Sequence, residues 1–287
     1  MSTLLDEVFA LNSQLCQHFR LADKRSLRSK LEALSPEEGQ ILRGKCLASG
    51  APEHLNLLGE CLRWSCGLAR NREKAVELFQ QSANLGDPLG MYDLGLCLWS
   101  GDGIAKNKKK AVEWFQKSAD LGNPMAMNKL GRCLQNGTGI IKNEMKATEW
   151  YRKSADLGYP PAMSNLGQAL RDGSGIPKNE TMAIDWLCKA KTAVSYWNLG
   201  QLFQKKDHAC ASYYYYKALV TYTEEPAKAK CRKMIDSPLR LDHRIEILGT
   251  WTTLEDENER LRAENEALKA ELARCGERIE TIITLQV

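Results

Sequence analysis

An all-α fold is what the sequence predicts: a solenoid of helix–loop–helix repeats followed by a coiled-coil helix at the C-terminal end. Three observations carry this expectation. Gly59, Gly95, Gly131 and Gly167 share one spacing of 36 residues with Pro52, Pro88, Pro124 and Pro160, with Asn71, Asn107, Asn143 and Asn179, and with Ala75, Ala111, Ala147 and Ala183. Between those markers the apolar residues fall at helical spacing. From Trp251 onward they return every seven positions instead.

Residues 1–51 read as a helical N-terminal cap ending in half a repeat. Ser35 has the chemistry of a helix cap, Pro36 suits the first helical position, and Glu38 stands three residues after the cap, where it can reach back to the cap's N–H. Residues 52–222 read as the solenoid, with four clear units and a degenerate fifth. In the unit at residues 88–123, Pro88 opens the first helix and Gly101-Asp102-Gly103 breaks it. A second helix is expected from about Lys108 to Leu121, closed by Gly122 at a left-handed cap. The fifth unit reaches Leu199-Gly200 three residues early, and its second helix is expected near Ala211 to Leu219. Residues 223–250 read as a helical linker and 251–287 as the coiled coil.

These residues resemble the Sel-one-like repeat, a relative of the tetratricopeptide repeat. The match lies in Leu-Gly, then Gly-x-Gly-Ile-x-Lys-Asn, then Lys-Ala-x-Glu-Trp-Phe/Tyr-x-Lys-Ser-Ala-Asp-Leu-Gly, and it covers roughly residues 52–192. The resemblance implies a right-handed superhelix that serves as an adaptor or scaffold, including in protein quality control. Some cysteine-rich relatives are linked to β-lactam chemistry, but those carry paired cysteines in each unit, and this chain has neither that pairing nor a Ser-x-x-Lys or Lys-Thr-Gly motif.

Repeats supply their own control for function, because stacking positions stay fixed while ligand-facing positions vary. In the first helices the fixed sets are Leu55, Met91, Met127, Met163; Leu58, Leu94, Leu130, Leu166; and Leu62, Leu98, Leu134, Leu170. At about 100° per residue they share one face with the repeated glycine and form the expected core. The variable sets are Asn56, Tyr92, Asn128, Ser164; Glu60, Leu96, Arg132, Gln168; and Arg63, Trp99, Gln135, Arg171. They make a second strip about 100° from the first. The expected partner surface is this strip, with Tyr92, Leu96 and Trp99 as an apolar anchor and Asn128, Arg132, Gln135, Gln168 and Arg171 as polar contacts. The loops carry Arg70, Lys106, Lys142 and Lys178 in register, which reads as a solvated edge.

In the C-terminal segment the d positions are Leu254, Leu261, Leu268, Cys275 and Ile282, and the a positions are Trp251, Asn258, Asn265, Leu272 and Ile279. Asparagine at a favours a parallel two-stranded register. Glu257 faces Arg262 of the other chain, and Glu264 faces Lys269, so both pairings attract in a homodimer. A parallel homodimer through residues 251–283 is the expectation, with Leu254, Asn258, Leu261, Asn265, Leu268 and Leu272 at its seam. Two joined solenoids would hold a bivalent target more tightly than one.

Composition narrows the functional classes. With 40 basic and 36 acidic residues the net charge is +4, too weak for a nucleic-acid face. No apolar run is long enough to span a bilayer, so no membrane association is expected. Asp6 and Glu7 stand where a secretory leader needs an apolar centre, so the chain is expected to be intracellular, in the cytoplasm, with its ten cysteines as free thiols. The glycosylation triplets at Asn136 and Asn179 then carry no meaning. Gly39 to Cys46 imitates a phosphate-binding loop, but it lacks the hydroxyl for magnesium and falls inside a predicted helix. Cys61, Cys97 and Cys133 occupy one place in successive units, about 10 Å apart, too far to share a metal or a disulfide. No catalytic, metal or cofactor site is expected. The function read from this is a non-enzymatic scaffold or adaptor that binds a peptide or protein along the solenoid. The alternative is a regulatory or targeting subunit of an enzyme complex, such as protein turnover machinery.

Overall fold

Every fourth-unit marker in the sequence turns out to be a point where one helix starts or where two helices touch. In the computed structural model, which describes residues 3–18, 21–206, 208–222 and 226–230, the described elements are all helical. They are α1 (Thr3–His18), α2 (Leu21–Glu32), α3 (Pro36–Ser49), α4 (Pro52–Trp64), α5 (Arg72–Asn84), α6 (Pro88–Ser100), α7 (Lys108–Asp120), α8 (Pro124–Asn136), α9 (Glu144–Asp156), α10 (Pro160–Asp172), α11 (Glu180–Ala190), α12 (Ala193–Phe203) and α13 (His208–Thr221). The heptad segment expected to form a coiled coil, with its six seam residues, lies outside the described residues.

The repeated prolines stand at the first turn of α4, α6, α8 and α10, where a missing N–H costs no intrahelical bond. The repeated asparagines are the N-caps of the second helices. Asn71, Asn107, Asn143 and Asn179 accept from the backbone N–H of Lys74, Lys110, Lys146 and Met182. Each such cap stabilises by about 1 kcal/mol. Ser35 and Glu38 form the anticipated reciprocal box at the start of α3. That helix contains the whole of the phosphate-loop mimic.

The repeated glycine is a contact point. A Cβ on Gly131 would stand 2.7 Å from the ring of Tyr151, and one on Gly95 would stand 2.6 Å from the ring of Phe115. The ring of each second helix therefore lies directly on the first helix of its own unit. Phe79, Phe115 and Tyr151 are all fully buried, which stabilises by about 2–3 kcal/mol per ring. The repeated alanines are buried beside them. Of the twelve expected core positions, all but Leu62 and Met163 are buried.

Two compact units divide the chain, Met1–Ser195 and Tyr196–Val287. In the first, α4 packs on α5, α6 on α7, α8 on α9 and α10 on α11, and each pair packs on the next through α5 with α6, α7 with α8 and α9 with α10. This is a solenoid of paired helices. Within the second and third repeats a serine ties the second helix to the start of the first: Ser118 Oγ donates to the Pro88 carbonyl at 2.6 Å, and Ser154 Oγ donates to the Pro124 carbonyl at 2.7 Å. At the N-terminal end, Leu5 and Val8 of α1 and Leu27 and Leu31 of α2 share one core with Leu55, Leu57 and Leu58 of α4. In the second unit the glycine contact recurs, with a Cβ on Gly200 falling 2.6 Å from the Tyr215 ring. The degenerate fifth repeat thus keeps the device that the clear ones use.

Candidate functional site

The first helix of an inner repeat has little free surface. It lies against its own second helix and between the two neighbouring units, so α8 is buried from Pro124 to Leu130 except at Lys129. This changes the reading of the variable strip. Asn56, Asn128 and Ser164 are buried in the seams between units, although they vary as a ligand-facing position would. Asn56 Nδ2 donates to Asp93 Oδ2 at 3.1 Å, and Asn165 Nδ2 donates to Asn128 Oδ1 at 2.8 Å. Both bonds join the same two repeat positions across successive units.

A groove of about 480 Å³ opens beside the second of these bonds. It runs along α8 and α10 to the start of α12, within the first compact unit. Four of the residues expected to meet a partner line it together: Asn128, Arg132, Gln135 and Gln168. Tyr92, Leu96, Trp99 and Arg171 do not line it. Tyr92 and Trp99 are half-buried, with ring centres 5.9 and 6.2 Å from that of Phe115, so they pack on their own second helix. Leu96 is half-buried, and Arg171 pairs with Asp172 at 2.7 Å.

The groove walls are fixed by hydrogen bonds. Tyr151 Oη donates to Gln135 Oε1 at 2.8 Å. Burial holds the Tyr151 phenol well above its ordinary pKa, so it remains a donor. Ser164 and Thr192 share a hydrogen bond at 2.8 Å. Thr192 and Ser195 exchange bonds through their side chains and backbone N–H groups, which caps the turn into α12. Ser164 of the variable strip also lines it, and Asn136, Pro161, Asn165, Thr192 and Val194, missed in the sequence, complete the lining. Asn165 had a visible signal, since its register reads Leu57, Asp93, Lys129, Asn165 and varies as much as the strip does. Thr192 and Val194 had none, because the fifth unit is out of register there.

Charge enters the groove through Arg132, which is exposed. One turn earlier, Lys129 lays its ammonium 4.9 Å from the centre of the Trp99 ring and 6.0 Å from that of Phe115. Burial, and secondarily the Arg132 charge, lower the Lys129 pKa. Among the described residues, no group of His, Cys, Asp and Glu is placed to hold a metal ion. Cys61, Cys97 and Cys133 are buried as small core residues. None of the described helices is long and apolar enough to cross a membrane.

Paired helices stacked in register, with a groove on the first-helix side, define a helical-repeat solenoid of the tetratricopeptide-like class. Four consecutive segments, residues 55–87, 88–123, 124–159 and 160–195, match the Sel1 repeat. The chain is a Sel1-repeat protein over that stretch. Two solved structures agree on the fold. A protective antigen of uropathogenic Escherichia coli strains that displays an SLR fold is 21% identical, with a TM-score of 0.61, covering 74% of this chain and 48% of that one. The chain therefore spans about half the length of that protein. A Sel1 repeat protein from Oxalobacter formigenes is 24% identical, with a TM-score of 0.58, covering 72% of this chain and 89% of that one. An immunity protein from Pseudomonas aeruginosa is more distant, at 19% identity and a TM-score of 0.43, covering 68% of this chain and 86% of that one. No curated protein matches the chain.

Proposed function

We propose that the chain is an interaction scaffold whose groove across the third and fourth repeats holds a segment of a partner protein. The observation that carries this reading is the convergence of variable polar side chains from successive units on one groove about 480 Å³ in volume. Fixed positions build the stack, and variable positions of the third and fourth repeats line the groove. Gln135 and Thr192 are already held in place by hydrogen bonds, which reduces the ordering cost of binding. Trp99 belongs to this reading through Lys129, whose ammonium lies over its ring one turn before Arg132.

The same proposal makes the chain a parallel homodimer through residues 251–283, on the strength of the heptads and their complementary flanking charges. A random peptide display selected on the full chain tests the groove. Arg132→Ala with Gln168→Ala should lose at least about tenfold in affinity for the selected peptides, and Trp99→Ala should weaken them less. Lys109→Ala, on the exposed side of α7, should leave them unchanged. Equal binding by the doubly substituted groove and the Lys109 control would remove the assignment.

A further inference from the structure

We infer that the groove recognises an extended, internal segment of an acidic peptide, seating an aspartate or glutamate side chain at Arg132; this rests on the groove reading above. Seven of the ten lining residues carry a primary amide or a hydroxyl, and Pro161 and Val194 are the apolar members. Asn128, Gln135, Asn136, Asn165 and Gln168 supply amides, Arg132 supplies the guanidinium, and no carboxylate lines the groove. Amide side chains both donate and accept, so they suit a peptide backbone without reading its sequence. The lined path crosses two steps between neighbouring first helices, each about 8–10 Å, which about five or six extended residues would span.

At the seam of the first two repeats two cations share one carboxylate: Arg63 Nε is 2.9 Å from Asp102 Oδ2, and Arg72 Nε is 3.1 Å from Asp102 Oδ1. The counterparts of Arg132 in those repeats are Glu60 and Leu96, neither of them a cation. Position 93 in the second repeat is an aspartate, and its equivalent in the third repeat is Lys129. So where one unit supplies a carboxylate, the next supplies an amine. Lys129 and Arg132 stand three residues apart on one helix face. Neither makes an ion pair or hydrogen bond with any described residue. Two adjacent cations repel one another, and the lowering of the Lys129 pKa reflects burial together with that repulsion. A carboxylate seated at Arg132 relieves that repulsion. A single guanidinium among amides fits a carboxylate better than a phosphoryl group, which draws clustered arginines. Repeats continue on both sides of α8, so nothing ends the peptide's path at Arg132, which favours an internal side chain over a chain terminus.

The test uses the immobilised full chain and a pool of random hexapeptides, acetylated and amidated so that only side chains carry carboxylates, read by mass spectrometry. The expected result is enrichment of Asp and Glu over Asn and Gln at one position by about tenfold. Arg132→Gln should lose that preference, and Arg132→Glu should turn it towards Lys and Arg, with the helical circular dichroism of both variants intact. Bound peptides without acid preference would overturn the carboxylate assignment and leave the groove reading standing. So would acid preference that persists in Arg132→Glu, or phosphoserine peptides outcompeting glutamate ones. A folded chain that retains no peptide at all would overturn the groove reading itself.

Discussion

The seam between the first and second repeats and the seam between the third and fourth use the same pair of positions for opposite ends. At the first, Asn56 donates to the buried carboxylate of Asp93, and Arg63 is closed off by Asp102, which also holds Arg72. At the second, the same two positions carry Asn128 and Asn165, and the neighbouring cation Arg132 faces a groove. One seam satisfies its charges internally and is finished. The other is satisfied as far as its amides go and leaves its charge open. Equivalent repeat positions can thus close a seam or leave a groove beside it, and two or three side chains decide which.

The largest test of that contrast is Asp102→Ala. It strips Arg63 and Arg72 of their shared carboxylate and leaves a largely buried guanidinium unpaired, so urea unfolding should show a loss of about 3 kcal/mol. A loss under about 0.5 kcal/mol would mean the first seam is not closed by charge. Next, Asn165→Ala removes a neutral bond at the other seam and should cost about 1 kcal/mol in the same assay. A cost equal to that of Asp102→Ala would erase the distinction between the seams.

The smallest stability effect is expected for Arg132→Ala, within about 0.5 kcal/mol of the parent chain. That variant has a second readout. Burial pushes the thiol of Cys97 up to about 12 and that of Cys133 up to about 11, from an ordinary 9.0, with Lys129, Arg132 and Lys108 holding Cys133 down. A raised folded value stabilises the protein fully below pH 9.0, and the contribution is lost as pH rises through about 11 for Cys133 and about 12 for Cys97. Removing Arg132 should raise the Cys133 value, read as thiolate absorbance during alkaline titration. No movement would show that the Arg132 charge does not reach the third repeat's core.

The repeat, its helix pairing and most of its core were legible because stacking demands the same residue at every turn of the solenoid. The meaning of the markers was less legible. Asn107 and Asn143 announce a period, but only the backbone shows them accepting from Lys110 and Lys146 as caps. The site was half legible for a physical reason. A helical wheel treats each helix alone and assigns it one buried face, whereas a stacked helix is buried on its flanks as well. Asn128 therefore varied like a surface residue while lying in a seam, and Tyr92 and Trp99 looked like an anchor while packing on Phe115. Arg132, Gln135 and Gln168 lie further along their helices and do line the groove.

The ring that fills the notch at Gly131 also carries a hydroxyl, and that hydroxyl grips Gln135. The same couple recurs in the fifth unit, where Tyr215 Oη reaches Gln204 Oε1 at 3.3 Å. A phenylalanine would fill the notch equally well, as it does in the first two repeats. Tyrosine at this place wires interior to exterior: a groove-lining amide is anchored to a peg at the heart of its unit.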